Sequence, residues 1–167
     1  MSRPYFNETQ RFRQWWIYLI TVVTAAAWIY ALSESLKAEP AEKAASDLVL
    51  ILLGLIPLAM IILLFALRLE TRIRKDGITY RFKPLQFREK HIKPSEIDRW
   101  EVRKYRPLTE YGGWGYRTGG RKYGKALNVS GNMGIQLYLK NGKKILLGTQ
   151  KPEEAAKAME GMMEGGL

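Results

Sequence analysis

The hydrophobic and polar positions divide the chain into two parts with different periods. From Trp15 to Ser33, and again from Leu48 to Leu67, no charged residue occurs. The second run has 20 residues. In a helix, a run of that length reaches about 30 Å, the thickness of the hydrocarbon core of a bilayer. The pattern therefore predicts two membrane-spanning helices, at residues 15–32 and 48–67.

Each run also allows a second interpretation. A helix buried in a soluble protein is the alternative for the second run, although that run shows no amphipathic pattern. A cleaved signal peptide is the alternative for the first, because Ala31-Leu32-Ser33 resembles a small-residue cleavage site. Aromatic residues at both ends of the first run favour a membrane helix with rings at the headgroup level. They are Trp15, Trp16, Tyr18, Trp28 and Tyr30.

The charges that flank the two runs predict their orientation. The connector at 33–47 carries four acidic residues and two lysines. Basic residues lie in the outer flanks instead, and lysine and arginine in short flanks stay on the cytoplasmic side. These flanking residues are Arg3, Arg11, Arg13, Arg68, Arg72, Arg74 and Lys75. The sequence thus predicts a multi-pass protein of the inner (plasma) membrane. Its N-terminal segment 1–14 and domain 68–167 are cytoplasmic, and its connector faces outward.

Small residues predict where the two helices meet. Ala27 and Ala31 are four residues apart and share one helix face, and Gly54 lies at a similar depth in the second run. Helices in lipid approach most closely at such residues. Pro57 cannot donate a backbone hydrogen bond, so we expect a bend near it. Neither run contains an ionisable residue of the kind that marks ion or proton paths.

After Arg68 the hydrophobic period changes to two, which is typical of half-buried strands. Asp76-Gly77 and Asn141-Gly142 are two-residue hairpin signals. Proline followed by two glutamates at 152–154 predicts the start of a helix over 152–163, with Ala155, Ala156, Met159 and Met163 facing the sheet. At the N-terminus, Asn7 is predicted to cap a helix. The predicted strands are 69–74, 78–82, 86–92, 97–105, 125–129, 133–139 and 143–147.

About seven antiparallel strands followed by one helix indicate an all-β barrel or sandwich closed by a C-terminal helix. A resemblance to a known family rests on several short segments of the domain and on one segment before the first helix. They are DGITY, GGWGYR, YGKALNVSG, LYLKNGKKILLGTQ and KPEE in the domain, and FNETQRFRQWW before the helix. The chain resembles small bacterial membrane proteins with two transmembrane helices and a pleckstrin-homology-like (PH-like) domain. The resemblance covers about residues 67–163 and implies no catalytic residues and no cofactor. In relatives that bind phosphoinositides, a basic loop between the first two strands binds the phosphates. The corresponding loop in this chain is only Asp76-Gly77.

Composition restricts the chemistry further. There is no cysteine and only one histidine, His91, so thiolate and multi-histidine metal sites within one chain are excluded. The glycines at 112–120 lack the lysine followed by serine or threonine that a phosphate loop requires. An enzyme of unknown type remains the weaker alternative. Residues 1–67 hold five basic and five acidic residues, so the whole net charge of +11 belongs to residues 68–167.

The segment 106–124 is predicted to be a long irregular loop that mixes aromatic and basic residues. Such a mixture suits an anionic membrane surface. If the first strands run up and down from the membrane, this loop and the turn at 83–85 return to the inner leaflet. The alternative is that the aromatic side chains pack on their own domain. The candidate lipid contacts are Tyr111, Trp114, Tyr116, Arg117, Arg121, Lys122, Tyr123 and Lys125.

A protein partner is the other predicted ligand. Exposed strand edges accept a peptide strand, and the helices can associate with another membrane protein or a second copy. The chain would then be a scaffold, or one subunit of a larger transport or envelope complex. Nucleic acid is not expected, because the positive charge is spread over strands instead of being gathered on one recognition element.

Overall fold

A computed structural model of the chain describes residues 5–12, 15–37, 50–55, 57–59, 61–62 and 65–165. The chain divides into two compact units. One unit, the helical unit, is residues 13–66. The other, the β domain, contains residues 5–12 and 67–165, so the helical unit is an insertion within it.

Among its described residues, the helical unit contains one helix that is long and apolar enough to cross a membrane, judged by length and composition. This helix, α1 (Trp15–Ser35), confirms the helix predicted at 15–32 and continues three residues beyond it. An ion pair of 2.7 Å between Lys37 and Glu34 follows its last turn. A shorter apolar helix, α2 (Leu50–Ala59), lies within the second predicted span. Residues 61–62 and 65–66 are helical as well. Residues 48–49, 56, 60 and 63–64 of that span, and 38–47 of the connector, lie outside the described residues.

The β domain consists of two sheets, three helices and one 3-10 turn. The first sheet has the antiparallel order β1-β2-β3-β4, and the second has the order β5-β8-β9-β7-β6. The first sheet is built from β1 (Phe6–Arg11), β2 (Arg68–Arg74), β3 (Gly77–Lys83) and β4 (Lys90–Ile92). The second is built from β5 (Ile97–Lys104), β6 (Gly115–Thr118), β7 (Lys125–Asn128), β8 (Met133–Leu139) and β9 (Lys144–Gly148). The 3-10 turn is Pro94–Glu96, and the helices are α3 (Pro107–Tyr111), α4 (Gly120–Tyr123) and α5 (Pro152–Glu164).

Strand β1 corrects the prediction of a capped helix near Asn7. Phe6, Glu8 and Gln10 point into the domain, while the residues between them are exposed. Hydrogen bonds to the end of β9 and the residues after it engage the Glu8 carboxylate and the Gln10 amide nitrogen, while the Gln10 side-chain oxygen is buried without a partner among the described residues. Glu8 accepts hydrogen bonds from the Thr149 hydroxyl at 2.7 Å and the Gln150 backbone N–H at 2.9 Å. The Gln10 side chain donates to a backbone carbonyl at the end of β9.

The third predicted strand, 86–92, is wrong over its first half, since only β4 is extended there. Gln86 folds back on Phe82: its backbone N–H donates to the Phe82 carbonyl at 2.7 Å, and its side-chain oxygen accepts from the Phe82 N–H at 3.1 Å. This double contact makes residues 84–89 a turn. The predicted Asp76-Gly77 turn is displaced by one residue, because Gly77 already pairs with Arg74 as the start of β3. Gly77 has φ +140°, and an added Cβ would overlap the Ile92 carbonyl oxygen.

The second sheet differs from the prediction in strand number and direction. The irregular loop predicted at 106–124 contains α3, β6 and α4. Strand β6, together with β1, raises the number of strands among the described residues to nine instead of about seven. The sheet is also not fully antiparallel, since β7 runs parallel to β9. The reason is that β9 forms a hairpin with β8 and then lies between β8 and β7. Gly148 suits this close approach, because an added Cβ would meet the Asn128 Cβ at 3.0 Å and force a small shift of the neighbouring strand.

Helix α5 covers the core, as its sequence predicts. Ala155 and Met159 are buried on its inner face, which confirms two of the four predicted positions. The other inward positions are Ala158 and Met162, whereas Ala156 and Met163 are only partly buried. The helix is therefore rotated slightly from the predicted face. Its side chains share one hydrophobic cluster with the inward residues of both sheets.

Candidate functional site

The aromatic residues of segment 106–124 separate into an inner group and an outer group. Tyr111, at the end of α3, is only 4% exposed. Its ring lies 6.1 Å from that of Tyr105 and 5.9 Å from that of Tyr123, and its hydroxyl donates to the Tyr123 carbonyl at 3.2 Å. These three tyrosines, with Ala126 and Leu146, form a small second core. The side chains of Tyr111 and Tyr123 therefore serve mainly to pack within the β domain.

A charged network fixes this second core. Arg103 of β5 donates to Glu110 at 2.7 Å and to the side-chain oxygen of Gln136 at 3.1 Å. Burial alone would raise the pKa of Glu110, but the hydrogen bonds and charges of Arg103 and Arg106 outweigh it and lower that pKa. Burial raises the pKa of Tyr105 to about 12, so its phenol stays neutral. The network therefore holds α3 on the second sheet.

Trp114 and Arg117 lie against the loop that follows β7. The Trp114 indole N–H donates to the Gly131 carbonyl at 3.0 Å, and the Arg117 guanidinium donates to the Trp114 carbonyl at 3.0 Å. Trp114 is half-buried, whereas Arg117 is exposed. The indole also lines a shallow pocket beside Arg106 and Leu108, the latter 66% exposed.

Tyr116, Arg121 and Lys125 lie together at a cavity of about 650 Å³. The cavity is bounded on one side by β3, the turn at 84–89, β4 and the 3-10 turn that follows β4. On the other side it is bounded by β6, α4, β7 and the β8–β9 hairpin of the second sheet. Lys122 is exposed on the neighbouring surface, with its Nζ 5.0 Å from the centre of the Tyr123 ring. A volume of this size is within the range of small-molecule sites.

Five cationic side chains line this cavity against one carboxylate, that of Glu96. Sequence reasoning identified only Arg121 and Lys125 among them and missed the rest. The hairpin sequence KNGKK could have indicated the missed lysines of the hairpin, because its lysines flank a two-residue turn. The five cations are Lys90, Arg121, Lys125, Lys143 and Lys144.

The interior side of the cavity combines apolar side chains with a phenol. Ile92, Leu127 and Ile145 are buried there, and Tyr80 is 7% exposed. Burial, with a smaller contribution from Tyr116, raises the pKa of Tyr80 to about 12. Its hydroxyl is therefore protonated at neutral pH and can donate a hydrogen bond to a ligand.

His91 also lines the cavity, and its Nδ1 lies 3.3 Å from the Thr79 hydroxyl. Its side chain is exposed, as expected for a surface histidine. Within the part of the chain that the structure describes, no group of three His, Cys, Asp or Glu is arranged to hold a metal ion.

In the helical unit, Gly54 lies against an aromatic ring. An added Cβ at Gly54 would overlap the indole of Trp28, and that indole N–H donates to the Leu50 carbonyl at 2.8 Å. Ala27 is exposed and Ala31 half-buried. The predicted approach of Gly54 to the first helix thus involves Trp28, which neighbours Ala27 in the sequence.

Comparison of the chain with protein-family models, with curated proteins and with solved structures finds no match.

Proposed function

We propose that this chain is a membrane-held binding module without catalytic activity. In this proposal a two-helix hairpin spans the inner membrane and both termini are cytoplasmic. The hairpin holds a PH-like β domain at the anionic inner leaflet, where the domain binds lipid or a protein partner. Two sheets closed by a C-terminal helix support the PH-like assignment.

The observation that carries the proposal is the pairing of β1 with β2. Arg11 is opposite Arg68, and residues 13–66 are inserted between these neighbouring strands. Strands that form hydrogen bonds with each other lie on one side of a membrane, so the insertion must cross an even number of times. Helix α1 is sufficient for one crossing. The helical residues between 50 and 66 supply the return, which favours two spans over one.

The pair Arg11 and Arg68 lies at the edge of the first sheet where the chain continues into the helical unit. Lys83, the last residue of β3, is opposite Arg68, so the turn at 84–89 extends from that edge. Leu85 and Phe87 in this turn are 59% and 89% exposed. Exposed apolar side chains beside basic ones suit the interface of an anionic leaflet. This turn is therefore a better-placed lipid contact than the buried Tyr111.

A protein partner is the second candidate, and the edge strand β6 favours it. This strand pairs only with β7 among the described strands, and Tyr116, Arg117 and Thr118 are exposed on it. Such an edge accepts an added strand from another chain. The module would then be a scaffold or a subunit of a larger membrane complex.

Labelling of single cysteines tests the proposed topology, because the native chain has none. We expect Lys37→Cys, near the connector, to react with a membrane-impermeant maleimide in intact spheroplasts. Asn7→Cys in β1 and Asp76→Cys in the β2–β3 turn should react only after lysis. All three side chains are exposed, so burial does not explain a difference. Labelling of Asp76→Cys in intact cells would refute the proposal.

A further inference from the structure

Some cationic side chains of the β domain form ion pairs with carboxylates, and others do not. On the first sheet, Arg68, Arg81 and Lys83 all contact Glu70 within 3.3 Å. Arg103 on the second sheet contacts Glu110. Among the described residues, none of the five cavity cations has a carboxylate within 4 Å. With Glu96 as the one acid, the cavity lining carries a formal charge of +4.

The contacts of these cations leave their charge uncompensated. Lys144 donates to the Lys122 carbonyl at 3.0 Å, and Lys125 donates to the Tyr116 hydroxyl at 3.4 Å. Both acceptors are neutral oxygens. The carboxylate of Glu96 accepts the Lys93 backbone N–H at 2.8 Å, so it is partly engaged by its own turn. Cations gathered around one cavity repel each other unless an anion enters.

The cations also come from separate parts of the fold. Lys90 belongs to β4 of the first sheet, Arg121 to α4, and Lys143 and Lys144 to the end of the β8–β9 hairpin. No local helix or strand pattern requires them to meet. Ammonium and guanidinium groups that line one cavity suit the several oxygens of a phosphate group. The buried Tyr80 adds a neutral donor beside an apolar wall.

We propose that this cavity binds an anion bearing phosphate groups, with its phosphates among the five cations and its less polar part against Ile92, Leu127 and Ile145. The same chemistry is supplied by a soluble phosphate compound or by the headgroup of an anionic phospholipid. The site differs from the Asp76-Gly77 turn, and it borders the exposed turn at 84–89 through Gln86. It does not depend on the number of membrane spans.

The test uses the full chain and two phosphate probes. In one arm, the chain in neutral detergent is titrated with inorganic pyrophosphate by calorimetry. In the other, native mass spectrometry counts the phosphatidylglycerol molecules that the chain retains from mixed phosphatidylcholine bilayers. Saturable pyrophosphate binding indicates a soluble ligand, and retained phosphatidylglycerol indicates a headgroup. Either result supports the proposal only if the cavity variant loses it.

The cavity variant is Arg121→Glu with Lys143→Glu, and the control is Lys104→Glu with Lys157→Glu. All four positions are exposed, and both variants change the net charge equally. We expect the cavity variant to weaken binding by about tenfold or more and the control by less than about twofold. Amide exchange checks that both variants remain folded. If the cavity variant is unfolded, Arg121→Gln with Lys143→Gln replaces it, and weakening of about threefold or more is expected.

Three results would overturn the proposal. The first is equal weakening in the cavity and control variants, which would show a general charge effect. The second is failure of the native chain to hold either probe. The third is a co-purifying protein that the cavity variant releases while neither phosphate probe binds, which would assign the cavity to a peptide.

Discussion

Replacing Phe6 with alanine is expected to lower the free energy of unfolding of the β domain by about 3–4 kcal/mol. Phe6 is 4% exposed and packs in the main core cluster, although it precedes the helical unit in the sequence. Its removal leaves a cavity between the first sheet and the rest of that core. A helix capped by Asn7, as predicted from the sequence, would not place Phe6 in this core and would show no such effect.

The measurement is hydrogen exchange of the full chain in detergent, read at amides of β2 and β8. The most protected amides report global opening, so their exchange gives the change in unfolding free energy. Asn7→Ala is the matched control, because Asn7 is exposed on the same strand. We expect it to change stability by less than about 0.5 kcal/mol. Unchanged protection of β2 in the Phe6→Ala variant would mean that β1 is not part of the domain.

Replacing Glu70 with glutamine is expected to destabilise the domain by about 2 kcal/mol at neutral pH. The Glu70 side chain is 12% exposed, and its oxygens contact Lys83 at 2.9 Å, Arg68 at 3.1 Å and Arg81 at 3.3 Å. The substitution leaves three neighbouring cations without their shared carboxylate. Glu89→Gln is the control, because Glu89 is 41% exposed and contacts Arg72 at 3.5 Å. We expect less than about 0.5 kcal/mol from it.

The effect of Glu70→Gln should also depend on pH. Burial alone would raise the pKa of Glu70, but the hydrogen bonds and charges of Lys83 and Arg81 outweigh it and lower that pKa below 4.5. A carboxyl group with a lowered folded pKa stabilises the protein above its unfolded pKa and loses that contribution as pH falls through the folded value. The difference between native chain and variant should thus be full at pH 7 and shrink below pH 4.5. A difference that is constant from pH 7 to about pH 3 would contradict this assignment.

The strands with apolar residues at alternate positions were predictable from sequence. Leu69, Thr71 and Ile73 show the period in β2, and proline with two glutamates marks the start of α5. Strand β1 was not predictable in this way, because two of its three inward residues are Glu8 and Gln10. Their hydrogen-bond partners lie about 140 positions away, so only the folded domain makes their burial favourable.

The candidate site was predictable only in part, for a related reason. The sequence shows many basic residues spread over residues 68–167, but it does not show which of them are neutralised. Glu70 takes up three cations of the first sheet, whereas Lys90 and Lys143 meet at the cavity without a carboxylate. Composition alone could not decide whether the aromatic residues of segment 106–124 contact lipid or pack on their own domain. The contacts of Tyr111 with Tyr105 and Tyr123 place part of it inside the domain.

The central claim is that a strand before the helical unit in the sequence pairs with a strand after it. The most direct test is disulfide formation in isolated native membranes between Asn7→Cys and Arg72→Cys, which are opposite each other in the β1–β2 register. The control joins Asn7→Cys to Thr79→Cys, one strand further along, at a separation of about 10 Å. We predict rapid cross-linking of the 7–72 pair under mild oxidation and little of the 7–79 pair. No 7–72 cross-link, with both cysteines reactive to maleimide, would contradict the account.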